Sequence, residues 1–357
     1  MKFILDAHLD LAMNALEWNR DLTKSISSIN HLEKNLKDKP DRGNATVSLE
    51  ELRKGNIGFC VSTLIARFVK PSNKLPGWNS PEQAWAQIQG QLAWYNVMEK
   101  SGEMIQIINS KELKNHLKLW ENKTDNKKKP IGYLLSLEGA DSIIKIEYLE
   151  KLYNQGLRAI GPAHYGPGTY AHGTNSKGGI GLKGRELLNK IDELNLILDV
   201  THLCDLSFWE TINFYKGKLW ASHSNCRSIV PNERQFTDEQ INEIISRGGI
   251  IGMALDAWMM IPNWKKGISS PKKSGLILDK IIDHIDHICQ LTGNSNHVGI
   301  GSDLDGGFGK EQCPSDLNSI ADLQKIDKLL TNRGYKKLDI EKILSKNFIN
   351  FISSVLN

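Results

Sequence analysis

Short apolar runs alternate with longer segments of helical periodicity along the whole chain. Each run is bounded by glycine or polar residues, which is the pattern of a buried strand. The runs occupy residues 4–12, 55–69, 130–141, 156–164, 194–202, 217–224, 248–255 and 297–306. Eight strands joined by helical crossovers predict an α/β fold of the (β/α)8 TIM barrel type. An open doubly wound sheet alternates in the same way but usually has fewer strands.

Capping residues mark where two of the helices start. Ser48 and Glu51 form one capping box, and Ser80 and Gln83 form another, whose helix continues to residue 100. The other helical patterns occupy residues 144–155, 184–194, 206–215, 237–247, 276–291, 315–334 and 339–355. No linker divides these units, so residues 1–357 are predicted to form a single catalytic domain. A polar, irregular loop insertion is expected at about residues 18–47.

The composition is that of a soluble globular protein, since 40% of residues are hydrophobic and 24% are charged. The net charge of +4 is small for this length and argues against nucleic-acid binding. The basic run at residues 127–129 is expected to be an exposed loop. Five cysteines without paired spacing indicate a reducing compartment. No signal peptide or membrane-length apolar stretch is visible, so a cytoplasmic protein is expected.

Side chains able to bind a metal ion follow several of the predicted strands. His8 and Asp10 lie two residues apart in the first strand and therefore point to the same face. The later strand ends supply Glu138, His202, His223, Asp303 and Asp305. Because the carboxyl ends of barrel strands converge on one mouth, these side chains are predicted to meet there. Asp199 and Asp305 are the acids best explained by a structural role.

Three imidazoles together with carboxylates suit Zn²⁺ and related divalent ions. Five ligands, one of them a carboxylate able to bridge, predict two metal ions about 3.5–4 Å apart. A water between two such ions loses a proton near neutral pH, and the resulting hydroxide attacks a carbonyl carbon. The predicted chemistry is therefore hydrolysis of an amide-like bond.

Other polar features are predicted to lie outside this metal site. His284 and His287 fall on the polar side of an amphipathic helix and are expected to be solvated. The glycine-rich stretch 178–184 lacks the order of a phosphate-binding loop and is expected to be a flexible active-site loop. Trp258 and Trp264 follow the seventh strand and are candidates for lining a substrate pocket.

Seven motifs resemble the successive motifs of the membrane (renal-type) dipeptidase family of zinc metallopeptidases. They are DAHLD, SLEGAD, GLRAIGPAH, LDVTH, SHSNCR, GIGSDLDG and ILSKNFINF, in order over essentially the whole chain. The resemblance implies a metallo-dependent hydrolase barrel with two zinc ions that hydrolyses dipeptides, often with tolerance for a D-residue at the C-terminal position. It also implies a homodimer. No membrane partner is expected.

The resemblance also implies a role for each matched metal ligand. His8 and Asp10 would bind one zinc ion, and His202 and His223 would bind the other. Glu138 would bridge the two ions.

The remaining matches concern the substrate and the proton. His164 would contact the substrate near the scissile carbonyl, and Arg234 would receive the C-terminal carboxylate of the dipeptide through two parallel hydrogen bonds. Asp303 would accept a proton from the attacking water and deliver it to the leaving amine. Arg227, which is nearer to His223 in the sequence, is expected to be a structural ion-pair partner.

The fourth-strand motif departs from the family pattern and leaves the substrate open. Tyr165, Tyr170 and His172 lie in a Gly/Tyr-rich loop that is expected to reshape the side-chain pocket. One alternative is a metal-dependent hydrolase of another small amide or lactone, such as an N-acyl amino acid. Another is a non-enzymatic barrel that keeps the metals, and the presence of His164 and Asp303 argues against it.

Overall fold

The computed structural model describes residues 1–70, 74–122, 125–126 and 129–356. Its strands are β1 (Ile4–Leu9), β2 (Ile57–Leu64), β3 (Met104–Gln106), β4 (Ile131–Glu138), β5 (Leu157–Gly161), β6 (Ile197–Asp199), β7 (Leu219–Trp220), β8 (Ile251–Met253) and β9 (Val298–Ile300). Eight of them pair in parallel in the order β7-β6-β5-β4-β2-β1-β9-β8. A bridge between Ala221 and Ile251 joins the two ends of this series. The predicted (β/α)8 barrel is therefore confirmed.

Helices follow the strands as crossovers. They are α1 (Leu11–Leu16), α2 (Ile26–Glu33), α3 (Leu49–Lys54), α4 (Pro81–Lys100), α5 (Ser110–Glu121), α6 (Glu147–Asn154), α7 (Gly181–Glu193), α8 (Asp205–Phe214), α9 (Asp238–Ser246), α10 (Ala257–Met260), α11 (Lys280–Thr292), α12 (Lys325–Asn332), α13 (Lys337–Glu341) and α14 (Asn347–Val355). The hydroxyls of Ser48 and Ser80 accept hydrogen bonds from backbone N–H groups three residues on, at 3.3 and 3.2 Å. Both predicted helix starts are thus confirmed.

Two elements between β2 and β4 were not predicted. β3 is three residues long and pairs with β4 outside the barrel series. It is too short to show a strand periodicity. α5 buries Leu113, His116 and Trp120 of a lysine-rich helix. Leu113, Leu117 and Trp120 have helical spacing, so the pattern of apolar residues could have predicted this helix.

The last helix closes the amino end of the barrel. Phe348 of α14 packs against Trp220 of β7, with ring centroids 5.7 Å apart, and joins a cluster that includes Leu5 and Leu134. Trp220, Leu5 and Leu134 come from strands that are not neighbours in the sheet, so their side chains meet inside the barrel. Asn347 donates to the carbonyl of Val298 at 2.8 Å, at the start of β9. The carboxyl ends of the strands are therefore left for the site.

The segment 18–47 is more ordered than the predicted irregular insertion. It contains α2, and Trp18, Leu22 and Ile29 are buried in it. The glycine-rich stretch 178–184 also differs from its prediction, because residues 181–184 form the first turn of α7. A Cβ on Gly184 would lie 2.2 Å from the carbonyl oxygen of Tyr170, so this glycine serves close packing rather than a flexible active-site loop.

The basic run at 127–129 is only partly described. Lys127 and Lys128 lie outside the described residues. Lys129 is buried, and its ammonium donates to the carbonyl of Asn122 at 2.6 Å, so an exposed loop is the wrong prediction for this residue. None of the helices within the described part of the chain combines the length and the apolar character needed to cross a membrane.

Candidate metal centre

The carboxyl ends of the barrel strands open into a cavity of about 490 Å³. The predicted site residues lie in its wall or directly beneath it, each at or just after the end of a strand. They are His8 and Asp10 of β1, Glu138 of β4, His164 after β5, His202 after β6, His223 after β7 and Asp303 after β9. The barrel therefore brings together side chains that are far apart in the sequence.

Glu138 lies at the centre of this group. Its Oε1 is 3.2 Å from Nε2 of His202 and 3.4 Å from Nε2 of His223. Its Oε2 is 3.5 Å from Nε2 of His8. The two carboxylate oxygens thus face different imidazoles, which is the arrangement that a bridging carboxylate needs.

One ring nitrogen that faces this group lacks a protein partner, and two others face each other. Nε2 of His8 is buried and has no hydrogen-bond partner among the described residues. It lies 3.8 Å from Oδ1 of Asp10 and 3.8 Å from Oδ1 of Asp303. Nε2 of His202 and Nε2 of His223 are 3.1 Å apart. Buried polar atoms are normally satisfied, so these nitrogens indicate room for a cation that several of them share.

The opposite ring nitrogens are held by hydroxyl groups. Ser222 Oγ lies 2.9 Å from Nδ1 of His223 and 3.3 Å from Nδ1 of His8. Thr174 Oγ1 lies 2.9 Å from Nδ1 of His202. Contacts of this kind fix the orientation of metal-binding imidazoles and leave their Nε2 atoms directed at the ion.

Burial and neighbouring charges shift the pKa values of the carboxylates and imidazoles in this group. Burial and the nearby Glu138 raise the pKa of Asp10 to about 7, and burial raises the pKa of Asp303 well above its usual value. Burial lowers the pKa of His202 to about 3. Burial also acts to lower the pKa of His8, but Glu138 and the two aspartates outweigh it and raise that pKa to about 10. A divalent cation favours ionised carboxylates and neutral imidazoles, so the donor set fits a metal.

Unusual backbone conformations occur where these side chains turn into the cavity. His202 and Asp303 have positive φ angles of 70° and 57°. Such a conformation costs about 1–2 kcal/mol for a residue with a Cβ, and it is typical of functional sites. Gly139, directly after Glu138, has φ 78°, and a Cβ there would lie 3.1 Å from Cβ of His164.

Two arginines near the site differ in their surroundings. Arg234 is buried and lines the cavity, where its Nη2 donates to the carbonyl of His223 at 2.9 Å and lies 3.3 Å from Nε2 of His202. Arg227 instead forms an ion pair with Asp205 at 2.7 Å and does not line the cavity. Its predicted structural pairing is confirmed.

Asp199 and Asp305 have the structural contacts that were predicted. Oδ1 of Asp199 accepts hydrogen bonds from the backbone N–H groups of Thr201 at 3.0 Å and Ser222 at 3.1 Å. Asp305 accepts one from the backbone of Thr46 at 2.9 Å. Neither carboxylate lines the cavity.

The aromatic residues expected at the pocket divide into two groups. Tyr165 and Trp258 line the cavity. Trp264, Tyr170 and His172 are not among its lining residues. Tyr170 is buried and donates to the carbonyl of Ile143 at 3.0 Å. Its side chain therefore stabilises the Gly/Tyr-rich loop and does not form part of the cavity surface.

The prediction of a solvated His284 is wrong. This side chain is fully buried, its Nδ1 accepts from the N–H of Cys226 at 3.1 Å, and its Nε2 lies 3.1 Å from the carbonyl of Met260. His287 is partly exposed and pairs with Asp238 at 2.8 Å. The helix α11 is thus buried over a wider face than its isoleucines alone indicate.

Several residues that line the cavity were not predicted. Arg67 contacts Nδ1 of His164, and Glu17 and Trp78 lie along the same wall. Asp256 accepts hydrogen bonds from Trp258 and Gln312, and burial raises its pKa to about 6. Arg67 and Asp256 follow β2 and β8, so the rule that strand ends converge would have selected both.

A model of the membrane dipeptidase family, Peptidase family M19, matches residues 2–356. An uncharacterized protein in the pqqA 5' region of Klebsiella pneumoniae is 27% identical over 215 residues, covering 58% of this chain and 75% of that protein. Dipeptidase tcpJ of Claviceps purpurea is 23% identical over 235 residues, covering 63% of this chain and 52% of that protein. The match thus spans about half the length of the fungal relative.

A solved structure agrees over a longer stretch. It is the crystal structure of a metallo peptidase from Rhodobacter sphaeroides, liganded with a phosphinate mimic of the dipeptide L-Ala-D-Ala. The TM-score is 0.80 at 19% identity, over 99% of this chain and 100% of that one. At this identity the likeness concerns the fold alone. Because the family model spans nearly all of its residues, the chain belongs to the membrane dipeptidase family, peptidase family M19.

Proposed function

We propose that the protein is a zinc-dependent dipeptidase that hydrolyses the peptide bond of small dipeptides. The observation that carries this proposal is the position of Glu138, whose two oxygens face His8 on one side and His202 and His223 on the other. We assign one zinc ion to His8 and Asp10 and a second to the other two histidines, with Glu138 bridging. Two such ions, when bound, lower the pKa of the attacking water and polarise the substrate carbonyl.

Asp303 is the proposed proton carrier. Its Oδ1 lies 3.8 Å from Nε2 of His8, and its carboxylate lines the cavity. It accepts the proton of the attacking water and delivers it to the leaving amine nitrogen as the C–N bond breaks. His164, on the same cavity wall, is placed to contact the carbonyl oxygen of the scissile bond.

Arg234 is the proposed anchor for the C-terminal carboxylate of the dipeptide. It lines the cavity, and its guanidinium donates to the carbonyl of His223 rather than to a carboxylate. A guanidinium can form two parallel hydrogen bonds to a carboxylate, which fixes the scissile bond relative to the metals. A substrate with a free C-terminus is therefore favoured.

The stereochemistry of the substrate is part of the proposal. The Rhodobacter sphaeroides structure holds a mimic of L-Ala-D-Ala, which supports including a D-residue at the C-terminal position. The alternative of another small amide or lactone, such as an N-acyl amino acid, uses the same metal chemistry and differs in the bond that is cleaved.

The test is metal content by elemental analysis, followed by a substrate screen on the same sample. We expect about two zinc ions per chain and cleavage of L,L or L,D dipeptides that stops after chelation and returns with zinc. Dipeptides blocked as C-terminal amides should be poor substrates, since they cannot pair with Arg234. Cleavage of N-acyl amino acids or lactones without cleavage of dipeptides would favour the alternative, and turnover that persists after chelation would contradict both.

A further inference from the structure

The cavity contains a second guanidinium group, that of Arg67, which none of the roles above uses. Arg67 follows β2 and lines the cavity wall. Its Nη1 donates to the carbonyl of Pro76 at 2.8 Å, and its Nη2 contacts Nδ1 of His164. Its Nε is buried and has no hydrogen-bond partner among the described residues. Its hydrogen-bond partners within the described part of the chain are therefore uncharged groups.

Arg67 differs in this respect from half of the ten arginines of the chain. Arg20, Arg42, Arg53, Arg227 and Arg333 each form an ion pair with a carboxylate. Among the described residues, the other five have no carboxylate within 4.0 Å, and of these five Arg67 and Arg234 are the two that line the cavity. A partly buried cation without a counter-ion is costly in a folded chain unless a ligand supplies the anion.

The two arginines that line the cavity contact neighbouring histidines. Arg67 contacts Nδ1 of His164, whose ring lies 4.4 Å from that of His202. Arg234 lies 3.3 Å from Nε2 of His202. One small molecule bound beside His164 is therefore within reach of both. The acids that attract Arg67 from beyond ion-pair distance are Asp141, Glu138 and Glu17. Glu138 is assigned to the metal ions, Asp141 accepts from the backbone N–H of Thr169 at 2.6 Å, and Glu17 accepts from Gln87 at 3.1 Å.

We propose that Arg67 forms a second carboxylate subsite, so that the preferred substrates are dipeptides with an acidic side chain. This inference rests on the proposed dipeptidase function and specifies its substrate class. Arg234 holds the C-terminal carboxylate, and Arg67 holds the side-chain carboxylate of an aspartate or glutamate residue. The carboxylate comes from either residue of the dipeptide, and the test below separates the two sources.

The test compares acidic dipeptides with neutral ones of the same shape, using zinc-loaded protein. The first pair is Ala-Glu with Ala-Gln, each with a D-residue at the C-terminal position. The second pair is Glu-Ala with Gln-Ala. We expect kcat/KM for the acidic member of one pair to exceed that of the neutral member by about tenfold or more, as one charge-assisted pair supplies. In Arg67→Met this ratio should fall to about one, and Arg67→Lys should keep part of it. Arg185→Met, on the exposed surface of α7, is the control and should keep the ratio of the unmodified protein.

A purely structural role for Arg67, holding His164, predicts a different result. Arg67→Met would then slow acidic and neutral substrates equally and leave the ratio unchanged, which would overturn the inference. A ratio near one for every pair in the unmodified protein would also overturn it, while cleavage of Ala-Ala in the same assay would leave the dipeptidase function intact.

A binding measurement gives a second readout that does not need turnover. Calorimetric titration of zinc-loaded Asp303→Asn, in which turnover is expected to be slow, should show tighter binding of the acidic member of the same pair. The double variant Asp303→Asn/Arg67→Met should lose that difference. If no dipeptide is cleaved and none binds, the dipeptidase function and this inference both fail.

Discussion

Two groups of buried acids lie at the carboxyl end of the barrel, and they differ in where their positive charge comes from. The first is the Arg20 cluster, which consists of Arg20, Glu33, Asp41 and Asp305. Arg20 Nε lies 2.9 Å from Glu33, its Nη2 lies 2.8 Å from Asp41, and its Nη1 lies 3.6 Å from Asp305. This cluster contains its own cation, and it ties the segment 18–47 to the loop after β9.

The second group, the metal centre, has no arginine or lysine partner among the described residues. Asp10, Glu138 and Asp303 lie around His8, and within the described part of the chain no lysine or arginine forms an ion pair with any of the three. Removing charges from water is costly unless an opposite charge meets them. A buried acidic cluster with an internal arginine is therefore a structural element, whereas one without it is suited to a cation from solution. Asp303 belongs to the metal centre, whereas Asp305, two residues later, belongs to the Arg20 cluster.

The sharpest test of this difference is Glu138→Ala. Removing the carboxylate that faces both sets of imidazoles should abolish zinc binding and lower kcat/KM by about 10³-fold or more, since metal ions supply several kcal/mol of transition-state stabilisation. The variant should stay folded, because it removes one negative charge from a buried cluster in which the acids outnumber the cationic side chains. Zinc content, dipeptide turnover and the urea unfolding midpoint measure the three effects. Glu50→Ala, exposed on α3, is the control, and zinc-dependent turnover in Glu138→Ala would contradict the assignment.

Asp303→Asn and Asp305→Asn compare the two classes within one loop. Asn tolerates the positive φ of both positions, so the backbone is preserved. Asp303→Asn should lower kcat by about 10²–10⁴-fold with little change in stability, because it removes the proton carrier. Asp305→Asn should lower the free energy of unfolding by about 1–3 kcal/mol and affect kcat far less, because it weakens contacts to Thr46 and Arg20. Equal effects of the two variants on kcat would show that the loop acts as one unit.

Arg20→Met removes the cation of the structural cluster. Asp41 and Asp305 would lose their ion-pair partner, and Glu33 would keep Arg42 at 2.6 Å, so the free energy of unfolding should fall by about 3–5 kcal/mol. Urea titration of the zinc-loaded protein measures this. Arg333→Met, which removes ion pairs to Asp279 and Asp283 on the surface, is the matched control and should cost about 1 kcal/mol or less. A similar loss in both variants would remove the distinction between the buried cluster and a surface ion pair.

The sequence predicts the metal centre better than its surroundings, for a physical reason. Strand ends of a parallel barrel converge, so His8, Glu138 and His223 are predictable neighbours once the strands are located. The Arg20 cluster lies in a segment without strand or long helix periodicity, and no rule of spacing pairs Arg20 with Asp305. Sequence patterns therefore locate residues on regular elements, and they leave open the contacts that loops create.

The same limit explains the error at His284. A helical pattern gives the positions of side chains around the axis but not how much of the circumference is covered, and α11 is covered beyond its isoleucine face. His284 is in that covered region with both ring nitrogens in contact with backbone groups. It is thus a satisfied buried imidazole, in contrast to His8 of the metal centre.

That contrast leads to a prediction about pH. Burial lowers the pKa of His284 from 6.5 to about 4. The unfolded chain therefore binds a proton at this imidazole below about pH 6.5, and the folded chain binds it only below about pH 4. Stability is lost as the pH falls through this window, and the loss from this group should be about 2 kcal/mol at pH 5. Urea unfolding at pH 7.5 and pH 5 should show a smaller drop for His284→Gln than for the unmodified protein, by about this amount. His31→Gln, at an exposed position on α2, should show the same drop as the unmodified protein, and so would His284→Gln if His284 were solvated.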